Sequence, residues 1–96
     1  MAEASPASEA KTKSIPRYRV IFWNDNKTSF EFVIWAVQTY FFKSFLDAQS
    51  FAIEVHLKGS GCAGVYSLEL AELKQEQTLS AAKAQNFPLI LTLERE

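Results

Sequence analysis

The chain has 96 residues, 48% of them hydrophobic and 14% aromatic, with a formal net charge of -1. That length supports one domain and one small core. The mixed, near-neutral charge argues against a nucleic-acid or anionic-lipid binder, and no run of about 18 apolar residues suggests a membrane span. One cysteine, Cys62, and one histidine, His56, leave no internal disulfide and no zinc set, as expected of a reduced cytoplasmic protein without a cofactor.

Residues 1–16 are rich in Ala, Ser and Lys and hold no aromatic. Such a segment buries too little to offset its ordering entropy, so it reads as a disordered arm ahead of a domain over residues 17–96. Tyr18-Arg19-Val20-Ile21-Phe22-Trp23 is β-branched and aromatic and predicts a strand. Asn24-Asp25-Asn26-Lys27 is a turn cluster. Thr28-Ser29-Phe30-Glu31 reads as a capping box with Thr28 as the cap, opening a helix to about Phe42. Phe30, Val33, Val37 and Phe41 recur at helical spacing on one apolar face.

A second helix starts within Ser44 to Asp47, carries Ala48, Phe51, Ala52 and Val55 inward, and stops at Gly59 as a left-handed cap. Cys62 to Tyr66 predicts a short strand. Ser67 caps a third helix, whose apolar residues are Leu70, Leu73 and Ala81 and which runs out near Gln85. Asn86-Phe87-Pro88 breaks the chain before a last strand over Leu89 to Leu93. The order β-α-α-β-α-β predicts an α+β fold, with three helices on one face of a small three-stranded antiparallel sheet.

No motif for catalysis stands out. There is no H-E-x-x-H, no C-x-x-C, no Gly-rich phosphate loop and no G-x-S-x-G. Cys62 and His56 lie one turn apart, but a cysteine that opens an apolar strand is usually buried and inert. Three features remain: Asn24-Asp25-Asn26 after the first strand, Val55-His56-Leu57-Lys58-Gly59 at the end of the second helix, and Phe87-Pro88-Leu89 before the last strand. Singly, each has a plain structural explanation: a turn former, a histidine at a helix dipole, and punctuation.

Together, and in this order, they resemble the ClpS family. Tyr18 to Asp25 is similar to that family's first strand and N-D-D turn, and Thr28 to Ile34 to its T-P-M-E-F-V segment. Val55-His56-Leu57-Lys58-Gly59 matches V-H-x-x-G, and Gly64-Val65-Tyr66-Ser67 matches G-V-[FY]-[ST]. Glu69, Ala71, Glu72 and Lys74 match A-E-x-A-E-x-K, and the stretch from Pro88 to Glu94 matches P-L-x-x-T-x-E. The ribosomal stalk protein's C-terminal domain has a comparable fold, but it lacks the V-H-x-x-G run.

The resemblance implies a monomeric, non-enzymatic adaptor. It would bind proteins by an N-terminal Phe, Trp, Tyr or Leu with a free α-amino group, and deliver them to the ClpA unfoldase of the ClpAP protease. It implies that Asn24, Asp25, Asn26 and His56 hold the ammonium, where side-chain carbonyls and a neutral imidazole nitrogen can accept its protons. Trp23, Thr28, Phe30, Val33, Ala52, Val55 and Leu89 would line the slot for the first side chain. Glu69 and Lys74 would contact the N-terminal domain of the unfoldase. Three positions depart from the pattern: Asn26 where the family has Asp, and Phe30 and Ala52 where it has Met. The first predicts weaker ammonium binding unless Asp25 compensates. The other two predict a slot that favours large flat side chains over Leu. A paralogue with altered or no N-terminal specificity, acting on the unfoldase alone, is the alternative.

Overall fold

The computed structural model describes residues 15–96, so most of the expected arm lies outside the described residues. Six elements follow in the predicted order: β1 (Tyr18–Trp23), α1 (Phe30–Phe41), α2 (Phe45–Lys58), β2 (Ser60–Tyr66), α3 (Leu68–Ala84) and β3 (Ile90–Arg95). The sheet runs β2-β1-β3, antiparallel throughout, with β1 in the centre.

Alternation along β1 sets the two faces. Val20 and Phe22 are fully buried beneath the helices. Phe22 meets Phe41 and Phe51 edge-on, with ring centroids 5.5 and 5.2 Å apart. The β1–β3 register is unbroken from Tyr18 opposite Arg95 to Trp23 opposite Ile90. On the other side Val20 faces Gly64 and Ile21 faces Cys62. Ala63 is therefore the extra residue of a bulge, and it is buried in the core. At Gly61 an added Cβ would lie 3.0 Å from Val55 Cγ2 and 3.1 Å from Phe51 Cε1, so a bare backbone is what lets β2 approach α2.

Serine caps open all three helices. The Ser29, Ser44 and Ser67 hydroxyls accept from the N–H groups of Phe32, Asp47 and Leu70. The first corrects the expected cap by one residue, because Thr28 is committed elsewhere. Gly59 closes α2 at φ 93, its N–H donating to the Val55 carbonyl. Phe42 closes α1 at φ 57, ψ 29. Only Gly and Asn adopt that left-handed region freely, and a bulky side chain there costs roughly 1–2 kcal/mol.

Two further expectations need correction. The inward stripe of α3 is Ala71, Lys74, Thr78 and Ala82, while Leu70 and Leu73 are exposed. Both stripes have helical spacing, and hydrophobicity alone selects the leucines. Packing selects the small residues, which let α3 close onto the sheet and α1. Lys74, expected on a surface available to a partner, is only 6% exposed. Its ammonium donates to the Tyr40 carbonyl at the end of α1. It lies 5.6, 4.7 and 5.2 Å from the ring centroids of Phe41, Phe42 and Tyr66. Burial pulls its proton affinity below the usual lysine range.

Candidate functional site

One end of the sheet collects the residues singled out by sequence. β1 ends at Trp23, opposite the first residues of β2 and β3, Ser60 and Ile90. The chain then turns through Asn24–Ser29 into α1. α2 arrives at the same place, because the Asn24 N–H donates to the Gly59 carbonyl at 2.9 Å. The turn after β1 is thereby tied to the last turn of α2, where His56 sits.

Asp25 holds the turn together. Its Oδ1 accepts from the N–H groups of Lys27 and Thr28 at 2.8 and 2.7 Å, and its Oδ2 accepts from the Thr28 hydroxyl at 2.7 Å. Burial pushes this carboxyl's pKa up, but the three donated hydrogen bonds outweigh it, and the net shift is downward. Both oxygens are engaged within the turn. Asp25 is therefore the organiser of the loop. Asn24 and Asn26, on either side of it, are exposed.

The imidazole of His56 is also exposed and stands edge-on to the Phe30 ring, with centroids 5.9 Å apart and planes at 78°. Phe30 is 45% exposed at the first position of α1, so it belongs to the rim more than to the core. Val33 of α1, Ala52 and Val55 of α2, and Leu89 before β3 are all buried members of the one hydrophobic core. Thr28 is half-buried beneath the turn.

Trp23 is not part of this core. Its indole N–H donates to Thr92 Oγ1 at 2.8 Å, and Thr92 faces Ile21 across the ladder. By strand alternation, Trp23 lies on the sheet face opposite to Phe22 and the helices. Glu69 is exposed near the start of α3, whereas Lys74 is buried. The Cys62 thiol faces the Gly64 carbonyl at 3.5 Å within its own strand. Among the described residues no cluster of His, Cys, Asp and Glu could hold a metal ion, and no helix is long and apolar enough to cross a membrane.

The polar groups brought to this end of the sheet are the side chains of Asn24 and Asn26, the His56 imidazole and the C-terminal end of α2. Sequence reasoning missed the part played by Asp25 in the turn and the correct cap. The spacing of Asp25 to Thr28, an Asx residue followed three positions later by a hydroxyl and then by Ser29, is the signal that carries both.

Comparison with known proteins bears on the family and the fold. Residues 13–92 match the family model for the ATP-dependent Clp protease adaptor protein ClpS. The Clp protease adapter ClpS of Bdellovibrio bacteriovorus is 39% identical over 97% of this chain and 87% of its own length. The ClpS of Myxococcus xanthus is 40% identical over 94% of this chain and 84% of its own. The structure of Agrobacterium tumefaciens ClpS2 bound to L-phenylalaninamide superposes with a TM-score of 0.82 at 29% identity, covering 85% of this chain and 99% of that one.

Proposed function

The chain belongs to the ClpS family of ATP-dependent Clp protease adaptors, and from that premise we propose that it captures proteins by a bulky apolar N-terminal residue with a free α-amino group. It hands them to the ClpA unfoldase of ClpAP, as a cytoplasmic monomer that carries out no chemistry itself. The observation that carries this reading is the Asn24–Gly59 backbone hydrogen bond, which ties the Asn24–Asn26 turn to the end of α2, where His56 stands edge-on to Phe30 at the start of α1. An amino acid's ammonium and side chain leave the same Cα, so a site for both must set polar acceptors beside an apolar recess. Burying a Leu or Phe side chain there contributes roughly 1.5–3 kcal/mol. A blocked amine would leave the acceptors unpaired. That a relative of this fold was solved with phenylalaninamide supports the same ligand class.

A second reading has its own observation. With Asp25 accepting three hydrogen bonds within the turn and Asn26 an amide, less negative charge is left to hold an ammonium, which would suit a family member that acts on the unfoldase without presenting a substrate. A degradation assay separates the two. Reporter proteins beginning with Phe and with Ser are supplied to ClpAP with and without the chain. Delivery predicts that the chain accelerates loss of the Phe reporter only. Equal effects on both reporters favour action on the unfoldase alone.

A further inference from the structure

The turn that carries Asn24 and Asn26 treats its two charges differently. Asp25 is half-buried, and its carboxylate accepts three hydrogen bonds from Lys27 and Thr28 within the turn. Lys27, the one cation between Asn24 and Ser29, is exposed. Its backbone N–H donates to Asp25 at 2.8 Å, so the residue is held in place one step from Asn26. Among the described residues its ammonium pairs with no carboxylate; the ion pairs are Arg17–Glu96 and Lys58–Glu54. Lys58, beside Gly59, is thus already matched, whereas Lys27 is not. Glu31, in the first turn of α1, is exposed and lies about 200° round the helix from buried Val33, on the solvent side.

We infer that Lys27 selects client proteins with an acidic residue, Asp or Glu, directly after the bulky N-terminal one. The inference rests on capture of the client by its free α-amino group, and it adds the chemistry of the next residue. Binding brings the client's ammonium to a turn whose carboxylate is engaged with its own backbone and hydroxyl, and whose exposed charge is positive. Two cations then stand close together, and Asn26, an amide, offsets neither. A carboxylate on the client's second residue offsets both. Its reach fits. Adjacent Cα atoms are about 3.8 Å apart, so the second residue lies one step from the ammonium, as Lys27 lies one step from Asn26. The flexible four-carbon stem of a lysine lets its point charge meet that carboxylate without a fixed geometry. An exposed pair of this kind changes affinity about two- to fivefold and weakens as salt rises. A basic second residue adds a third cation and is selected against.

The test titrates the full chain against labelled peptides that begin Phe-Glu, Phe-Gln and Phe-Lys, and against N-acetylated Phe-Gln. Anisotropy is read at about 50 mM and about 500 mM salt. At low salt the wild-type chain is expected to bind Phe-Glu about two- to fivefold tighter than Phe-Gln, and Phe-Lys weaker than Phe-Gln by a similar factor. High salt should shrink both gaps. Lys27→Gln should close them while binding Phe-Gln at least as tightly as the wild type does, and Lys27→Glu should reverse the order. A merely structural role for Lys27 would move all three free peptides together. That outcome overturns the inference, as do equal wild-type affinities for the three and gaps that survive unchanged in Lys27→Gln. Failure of the capture reading looks different: free and acetylated Phe-Gln then bind alike or not at all, and the inference falls with it.

Discussion

Replacing Asp25 with alanine is expected to lower the stability of the domain by about 2 kcal/mol and to weaken binding of a Phe-first peptide by more than about tenfold. The stability loss follows from three hydrogen bonds to one carboxylate, two from backbone N–H groups and one from a hydroxyl; bonds to charged groups each contribute about 1.5–3 kcal/mol, and water replaces part of that here. The binding loss follows from position. Asn24 and Asn26 flank Asp25, and the Asn24 N–H anchors the turn to Gly59. A loosened turn must be ordered again before it can present either carbonyl. The same carboxylate gives a pH dependence. Its folded-state pKa lies below the ordinary 3.8, so its contribution is complete above that value and disappears as pH falls through the lower folded value. Wild-type and Asp25→Ala stability curves should converge in acid, separate as pH rises from the lower folded value towards 3.8, and keep a constant gap above it. Parallel curves across that range would show that the carboxylate is not what holds the turn. Asn26→Asp provides the contrast: it adds a carboxylate that the turn does not consume, and should tighten the same peptide.

A peptide that begins with Phe or Trp should bind about 2–10-fold tighter than its Leu counterpart, and Phe30→Ala should remove the difference. An edge-to-face aromatic pair contributes about 0.5–1.5 kcal/mol beyond simple burial. Phe30 is placed to make one, since its ring is half-exposed at the rim and is steadied by the His56 imidazole. Trp23 does not contribute, because its indole is tied to Thr92 on the other sheet face. The preference therefore rests on Phe30 alone, and a single substitution tests it. Anisotropy with a matched peptide set decides the matter. Tighter binding of the Leu peptide than of the Phe and Trp peptides would show that the slot still selects branched aliphatic side chains.

The element order was legible because each boundary carries its own local chemistry. Tyr18 to Trp23 has the composition of a central strand, Ser67 caps as expected, the second helix starts within Ser44 to Asp47 as expected, and Gly59 takes the positive φ expected of it. Misreadings arose where tertiary contacts choose between locally equivalent options. Thr28 and Ser29 are both competent caps, and the choice between them is made by Asp25, which takes the Thr28 hydroxyl. On α3 the choice between two helical stripes is made by how closely the helix approaches the sheet and α1, which favours Ala71, Thr78 and Ala82 over Leu70 and Leu73. Burial of Lys74 has no local signature at all, since its partners Tyr40, Phe41, Phe42 and Tyr66 come from other elements. The site shows the same division. Asn24, Asn26 and His56 are expected from motif and spacing, and the internal use of Asp25 has a local signal in its spacing to Thr28, whereas the outward turn of Trp23 depends on the register of the sheet.

Free and N-acetylated forms of one labelled Phe-first peptide, titrated with the full chain and followed by anisotropy, test the central claim most directly. Acetylation removes the ammonium and leaves the side chain as it was. The site described here predicts micromolar or tighter binding of the free peptide, lost on acetylation and in the His56→Ala variant, because Asn24, Asn26 and His56 are then without their donors or incomplete. Equal binding of the two forms would show that the apolar side chain is held without the polar groups, and would contradict recognition of the N-terminus.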